Sequence, residues 1–392
     1  MQTSKKLLAL LLAGTMALTA CGAPKTAPAE QSSSTKGSSE KESSQEQSSK
    51  KDDGKVTFDD NSLYLVTDLG TLDDKSFNQA SYEGLTKFAD EIGVKANYVK
   101  PAGEGAQIYL QAVEQAVNAG AKIIVTPGYL FQSAVYTAQE EHPDVKFVAV
   151  DFEPKPEQGD IKVAQNTTAI LFKEAQPGFM AGYAAVKDGY TKLGFMGGVA
   201  VPAVVNYGYG FIAGANLAAK EMNTKVELKY NYTQSFVAKP EINTLATSWY
   251  KAGTEVIFSC GGGIFASILK AAQAQGGKVI GVDVNQNPLA EEVITSAMKN
   301  LTKSVYDACK SVADGNFDGG KTQLLGVESD SVQLPDDFSR FKKFTKEDYN
   351  ALYSALKENK DGILSSIPAY DEAGDPSIFA DKVPQVTLTY VK

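Results

Sequence analysis

Three aspartates stand where an open parallel sheet presents its chemistry. Asp68, Asp151 and Asp283 each close a short, β-branched apolar run, and ligands of such sheets sit outside the carboxyl ends of the strands. Around the third lies Ser259, Cys260, Gly261, Gly262, Gly263, Ile264, Phe265, Ala266, which reads as strand, G-x-G-x-x-A, helix, with Asp283 at the end of the next strand. In that dinucleotide fingerprint the glycines let the backbone approach a ligand and helix N–H groups face it. The carboxylate accepts hydrogen bonds from a ribose diol. The pattern comes late in the chain, and its ribose part stands without its pyrophosphate part. Ser76, Phe77, Asn78 and Gln79 fit a capping box, with Ser76 at the N-cap and Gln79 reaching back, so a helix starts at Phe77. The Phe77 ring then either meets a ligand at the helix mouth or joins Ala80, Gly84 and Phe88 on an apolar helix face. Asp73 and Asp74 in the same loop read as capping and dipole partners.

Reacting groups are scarce. The chain has one histidine and three cysteines in 392 residues, and no H-E-x-x-H, G-x-S-x-G or Cys cluster. His142 follows Glu140 and Glu141 at a helix end and reads as a C-terminal cap. No spacing supports a metal site, and the expectation is a binding protein with no catalytic residue, no cofactor and no metal. Cys260 and Cys309 are expected as buried free thiols.

The elements that must position these groups alternate. Strand-like runs at 63–67, 96–99, 122–126 and 147–151 are separated by amphipathic stretches at 77–92, 106–118 and 130–141. After Thr168 the rhythm restarts with a helix over 171–187 and a strand over 192–196. It continues through a helix at 210–220, a strand at 226–232, a helix at 241–252 and strands at 256–259 and 279–283 around the helix 264–275. That β-α-β-α order predicts two doubly wound lobes. Their strand-end loops are rich in acidic, aromatic, amide and glycine residues.

With 43% hydrophobic residues the chain can bury two cores, and its net charge of -9 opposes binding to nucleic acid. Lys5 and Lys6 precede an apolar run from Leu7 to Ala20 that is too short for a membrane span and reads as a signal peptide. Leu18, Thr19, Ala20, Cys21 resembles the lipobox of bacterial lipoproteins, which makes Cys21 the lipidation site and membrane attachment. From Gly22 to about Lys55 the sequence is Ser-, Lys- and Glu-rich without an aromatic residue, a tether that cannot build a core. The export signal occupies 1–20 and the lipidated tether 21–56, on the extracytoplasmic face of a cell membrane, with a Gram-positive wall as the setting such a spacer suits.

Taken together, the loops resemble the basic membrane protein family, PnrA-like purine nucleoside receptors of ABC transporters. The likeness is carried by Val66, Thr67, Asp68, Leu69, Gly70 through Asp73, Asp74, Lys75, Ser76, Phe77, Asn78, Gln79, and by Leu193 to Gly198 and Gly210 to Ala215. It is carried further by Gly281, Val282, Asp283 and by Thr295 to Lys299. The resemblance implies an α/β chain with the type I periplasmic-binding-protein fold, two Rossmann-like lobes with parallel sheets joined by crossover strands. One lobe then comprises 57–167 plus about 297–330, the other 168–296 plus about 331–392. It further implies that Phe77 and Phe236 sandwich a purine, and that Asp68, Ser76 and Asp151 are polar ligand contacts, with Asn78 counted among the binding residues. Gly261 or Gly262, Asp283 and Lys299 would hold the ribose. Implied partners are a purine nucleoside and the permease and ATPase of an importer. The competing readings are a receptor for a sugar or other small ligand on the same fold, and a dinucleotide-dependent enzyme.

Overall fold

The computed structural model describes residues 56–367, 370 and 372–392. The expected signal peptide, Cys21 and nearly all of the tether lie outside the described residues. The first lobe begins β1 (Leu63–Val66), α1 (Phe77–Ile92), β2 (Ala96–Val99), α2 (Ala106–Asn118), β3 (Ile123–Pro127), α3 (Gln132–Glu141), β4 (Lys146–Val150) and β5 (Thr167–Phe172). There follow α4 (Ala175–Lys187), β6 (Lys192–Gly197), α5 (Pro202–Glu221), β7 (Val226–Tyr232), α6 (Pro240–Lys251), β8 (Val256–Cys260), α7 (Ile264–Gln275), β9 (Lys278–Asp283) and β10 (Val293–Lys299). The chain ends with α8 (Leu301–Ala313), β11 (Lys321–Leu325), β12 (Val332–Gln333), α9 (Lys346–Lys357) and β13 (Val386–Tyr390).

Two sheets result, ordered β11-β5-β4-β3-β1-β2 and β12-β10-β9-β8-β6-β7-β13. Every pairing is parallel except that of β10 with β12. The chain passes between the sheets three times, after β5, after β10 and after β11. Parallel strands covered on both faces carry apolar residues on both, and β3 is buried along its whole length. One of its faces joins Leu63, Val125 and Val148 in a core continuous with Phe195 and Phe258 of the second sheet. The other packs Ile124 and Phe147 with Phe131 and Val135 under α2 and α3.

The change of sheet departs from the expected boundaries. Residues 171 and 172, read as the start of a helix, instead end a strand over 167–172 paired with β4 and β11, so the first sheet extends to Phe172 and not only to 167. Residues 297–299 belong to β10 of the second sheet, so the return crossing follows Lys299. A wholly buried strand and an apolar helix start look alike in sequence, because neither shows a period.

Candidate ligand-binding site

The carboxyl ends of the two sheets face each other across a cavity lined by both lobes. From the first lobe it is lined by Asp68, Asp74, Phe77, Asn78, Tyr129 and Asp151, and from the second by Tyr207, Phe236, Gly261, Gly262, Asp283 and Lys299. Of the residues singled out in the sequence, Ser76 is off the cavity wall.

The β1–α1 loop shows why. α1 begins at Phe77 as its sequence predicts, but the Ser76 side chain makes no cap. Asp74 does so instead, accepting from the backbone N–H groups of Ser76 (2.8 Å), Asn78 (2.9 Å) and Gln79 (3.2 Å), as a carboxylate at a helix N-terminus is favoured to do. The Gln79 amide donates to Glu83 rather than back to the cap. The Ser76 hydroxyl is left to donate to Asp283 of the other lobe at 2.6 Å. Asn78 is orientated by three bonds: its Nδ2 donates to Asp68 (2.9 Å) and Asp74 (3.1 Å), and its Oδ1 accepts from the Asp68 N–H (3.3 Å). Burial pushes the Asp68 carboxyl up against the pull of those donors, and pushes Asp74 up to about 6.

Asp151 and Asp283, at the ends of β4 and β9, have φ of 66° and 65°. Left-handed backbone costs a non-glycine residue about 1 kcal/mol or more and turns both carboxylates toward the cleft. Between them lies Lys299, 4% exposed. Its ammonium donates to Asp151 at 2.5 Å and stands 3.5 Å from Asp283. It also lies 4.6 Å from the ring centre of Phe77, 5.5 Å from Phe172 and 5.6 Å from Tyr207. Burial alone would lower its pKa, but the carboxylates of Asp151 and Asp283 outweigh that and hold it charged. The second oxygen of Asp151 is buried without a hydrogen-bond partner. Opposite, the Phe236 ring lies on the bare backbone of Gly198, where a Cβ would overlap it, and its carbonyl accepts from Gly263 N–H at 3.0 Å. That bond occupies one of the N–H groups the fingerprint would offer to a pyrophosphate.

Two residues at or behind the cavity wall escaped the sequence reading. Tyr207 lines the cavity because α5 starts at Pro202, earlier than expected; proline at the first helical turn was the available signal. Glu174 is 3% exposed behind the cluster, and its carboxyl accepts from Asn206 Nδ2 at 3.2 Å. Burial, then the charge of Asp151, pushes it up to about 8. Glu174 therefore stays protonated in the fold well above 4.5, its ordinary value. The fold binds the extra proton between those values, so stability falls as pH rises from about 4.5 to about 8 and levels off beyond. Glu174→Gln mimics the protonated form. Its melting temperature should match wild type near pH 5 and exceed it increasingly toward pH 8; parallel pH profiles would refute this.

Away from the cleft, His142 caps α3 with its backbone N–H on Ala138 and its ring 2.7 Å from Glu114. With Glu141 these form one group among the described residues whose ligand atoms lie close enough to hold a metal. Cys260 and Cys309 are buried free thiols. Among the described residues no helix is long and apolar enough to cross a membrane.

Two doubly wound lobes around a shared cavity, linked by three crossings, define a type I periplasmic-binding-protein fold. A solute-binding protein of an ABC transporter system from Aeropyrum pernix K1 superposes with a TM-score of 0.69 over 81% of this chain and 96% of its own, at 22% identity. The family described as ABC transporter substrate-binding protein PnrA-like matches residues 62–369, and the chain belongs to it. Relatives include the ABC transporter nucleoside-binding protein BmpA of Lactococcus lactis subsp. cremoris, 28% identical over 72% of this chain and 83% of that one. Basic membrane protein D of Borreliella burgdorferi is 27% identical over 81% of this chain and 89% of its own. The protein is thus a substrate-binding component of an ABC transporter, in a family of binding proteins and not of enzymes.

Proposed function

We propose that this protein captures purine nucleosides in the cleft between its lobes and delivers them to the permease and ATPase of an importer. It does so as a lipoprotein held through Cys21 on the extracytoplasmic face of the membrane. The observation that carries the reading is the cavity wall itself, where the aromatic rings of Phe77 and Phe236, one from each lobe, are joined by strand-end carboxylates and one lysine. A nucleoside offers an aromatic face for stacking, worth about 1–3 kcal/mol per base, a diol for Asp283 and Lys299, and no charge. The relative in Lactococcus lactis named as nucleoside-binding supports the same ligand class. A sugar receptor is less well served, because Trp249, on the buried face of α6, packs in the core and takes no part in the cavity.

Titration calorimetry of a soluble form starting at Phe58, stripped of carried-over ligand, tests this against inosine, guanosine, adenosine, cytidine, uridine, ribose and galactose. Tight binding of purine nucleosides without a response to ribose is expected; heat from a sugar alone would replace the ligand class. Asp68, Asp74 and Asp151 from one lobe and Asp283 from the other line the cavity and repel a phosphate, so AMP should bind far more weakly than adenosine. Equal affinities would refute that electrostatic argument.

A further inference from the structure

Two consecutive residues of the first lobe reach across the cleft and are held by the second. Ser76 is fully buried, and its hydroxyl lies 2.6 Å from Oδ2 of Asp283 and 3.4 Å from the carbonyl of Val282. The carbonyl of Lys75, a residue with φ of 57°, accepts from Nε2 of Gln286 at 2.9 Å. Gln286 is itself fixed on two strands of the second lobe. Its Oε1 accepts from Val282 N–H on β9, and its own N–H donates to Ser296 Oγ on β10, both at 3.0 Å. Room for that side chain exists because residue 281 is glycine; a Cβ there would lie 2.5 Å from Gln286 Oε1. Neither Ser76 nor Gln286 lines the cavity, whereas Asp283 does. The Asp283 carboxylate therefore has one oxygen on Ser76 of the opposite lobe and the other 3.5 Å from Lys299.

We propose that the Lys75–Ser76 turn is a closure latch: it engages Asp283 and Gln286 when the lobes meet, and by fixing the Asp283 carboxylate it ties closure to the hold on the ligand. Ser76 is on this account a positioning residue, not a ligand contact. The two hydrogen bonds act together, since one orients a side chain of the cavity wall and the other pins the loop that follows it. The inference rests on the nucleoside reading for its choice of ligand, but not for its geometry.

The test uses Ser76→Ala, a small change that leaves the Asp74 cap in place, together with Gln286→Ala. Stopped-flow measurements with guanosine should show dissociation about tenfold faster in Ser76→Ala with little change in association, the effect of losing one hydrogen bond to a charged group. Gln286→Ala, which cannot touch the ligand, should release guanosine faster as well. A purely structural role would lower the melting temperature without splitting the rates in this way. Small-angle scattering of the protein without ligand supplies a second readout, in which Ser76→Ala should shift the lobes toward a more extended average. If wild type binds no nucleoside, the ligand reading falls and the scattering comparison decides the latch alone. If wild type binds guanosine, and Ser76→Ala neither releases it faster nor scatters differently, the latch is overturned while the site stands.

Discussion

Replacing Lys299 with Met is expected to cost about 3–5 kcal/mol of folding stability at pH 7, the usual consequence of removing one partner from a buried ion pair. Met keeps most of the side chain's bulk, so the loss is electrostatic. The Lys299 side chain is 2% exposed and stands between Asp151 and Asp283, and without it no other described cation lines the cavity. Burial, which already pushes Asp151 up, would then act unopposed. A carboxyl whose pKa is raised by folding destabilises the fold as pH rises. The deficit should therefore be smaller at pH 5 than at pH 8, the direction that a carboxyl raised by burial sets. Urea unfolding at the two pH values measures it; superimposable curves for wild type and variant at pH 7 would show that the cluster contributes nothing.

Phe77→Ala is expected to weaken purine nucleoside binding at least tenfold, and Phe236→Ala to do the same, from the stacking each ring contributes, about 1–3 kcal/mol. The two should differ in character. Phe77 also lies under the Lys299 ammonium, so its removal withdraws a cation–π contact of about 0.5–2 kcal/mol and loosens the charge cluster. Phe77→Leu, which keeps bulk but not the π face, separates these effects from simple loss of packing. Phe236 rests on Gly198, and Phe236→Ala should spare stability. Calorimetry and melting curves on the three variants suffice, and wild-type affinity in either Ala variant would return that ring to a packing role.

The placement of Asp68, Asp151 and Asp283 on the cavity wall is legible because each ends a β-branched run, and position at a strand end is a local property. Phe77 and the start of α1 were legible for a similar reason. The role of Ser76 was not, because its partner Asp283 lies 207 residues away and Asp74 competes for the same helix end. Local pattern cannot rank two acceptors when a distant contact claims one of them. Lys299 entered only through the family resemblance, since no strand was assigned over 293–299. Glu174 stayed hidden behind β5, whose short apolar end, Ala169 to Phe172, was read in part as the start of the helix after it. Residues beyond Asp283 read poorly throughout, as crossings between sheets depend on pairings that no short window contains.

The two lobes repeat one plan, with strand order β5-β4-β3-β1-β2 in the first matched by β10-β9-β8-β6-β7 in the second. Asp151 just after β4 and Asp283 at the end of β9 are equivalent under that match, down to their left-handed backbone. The cleft is therefore an internal pseudo-dimer interface, and a strictly twofold version would accept a ligand either way round. Equivalence fails at the ends of β5 and β10, where Phe172 in one half faces Lys299 in the other at 5.5 Å. That broken symmetry gives the cleft a polarity, so that whatever it encloses has one orientation.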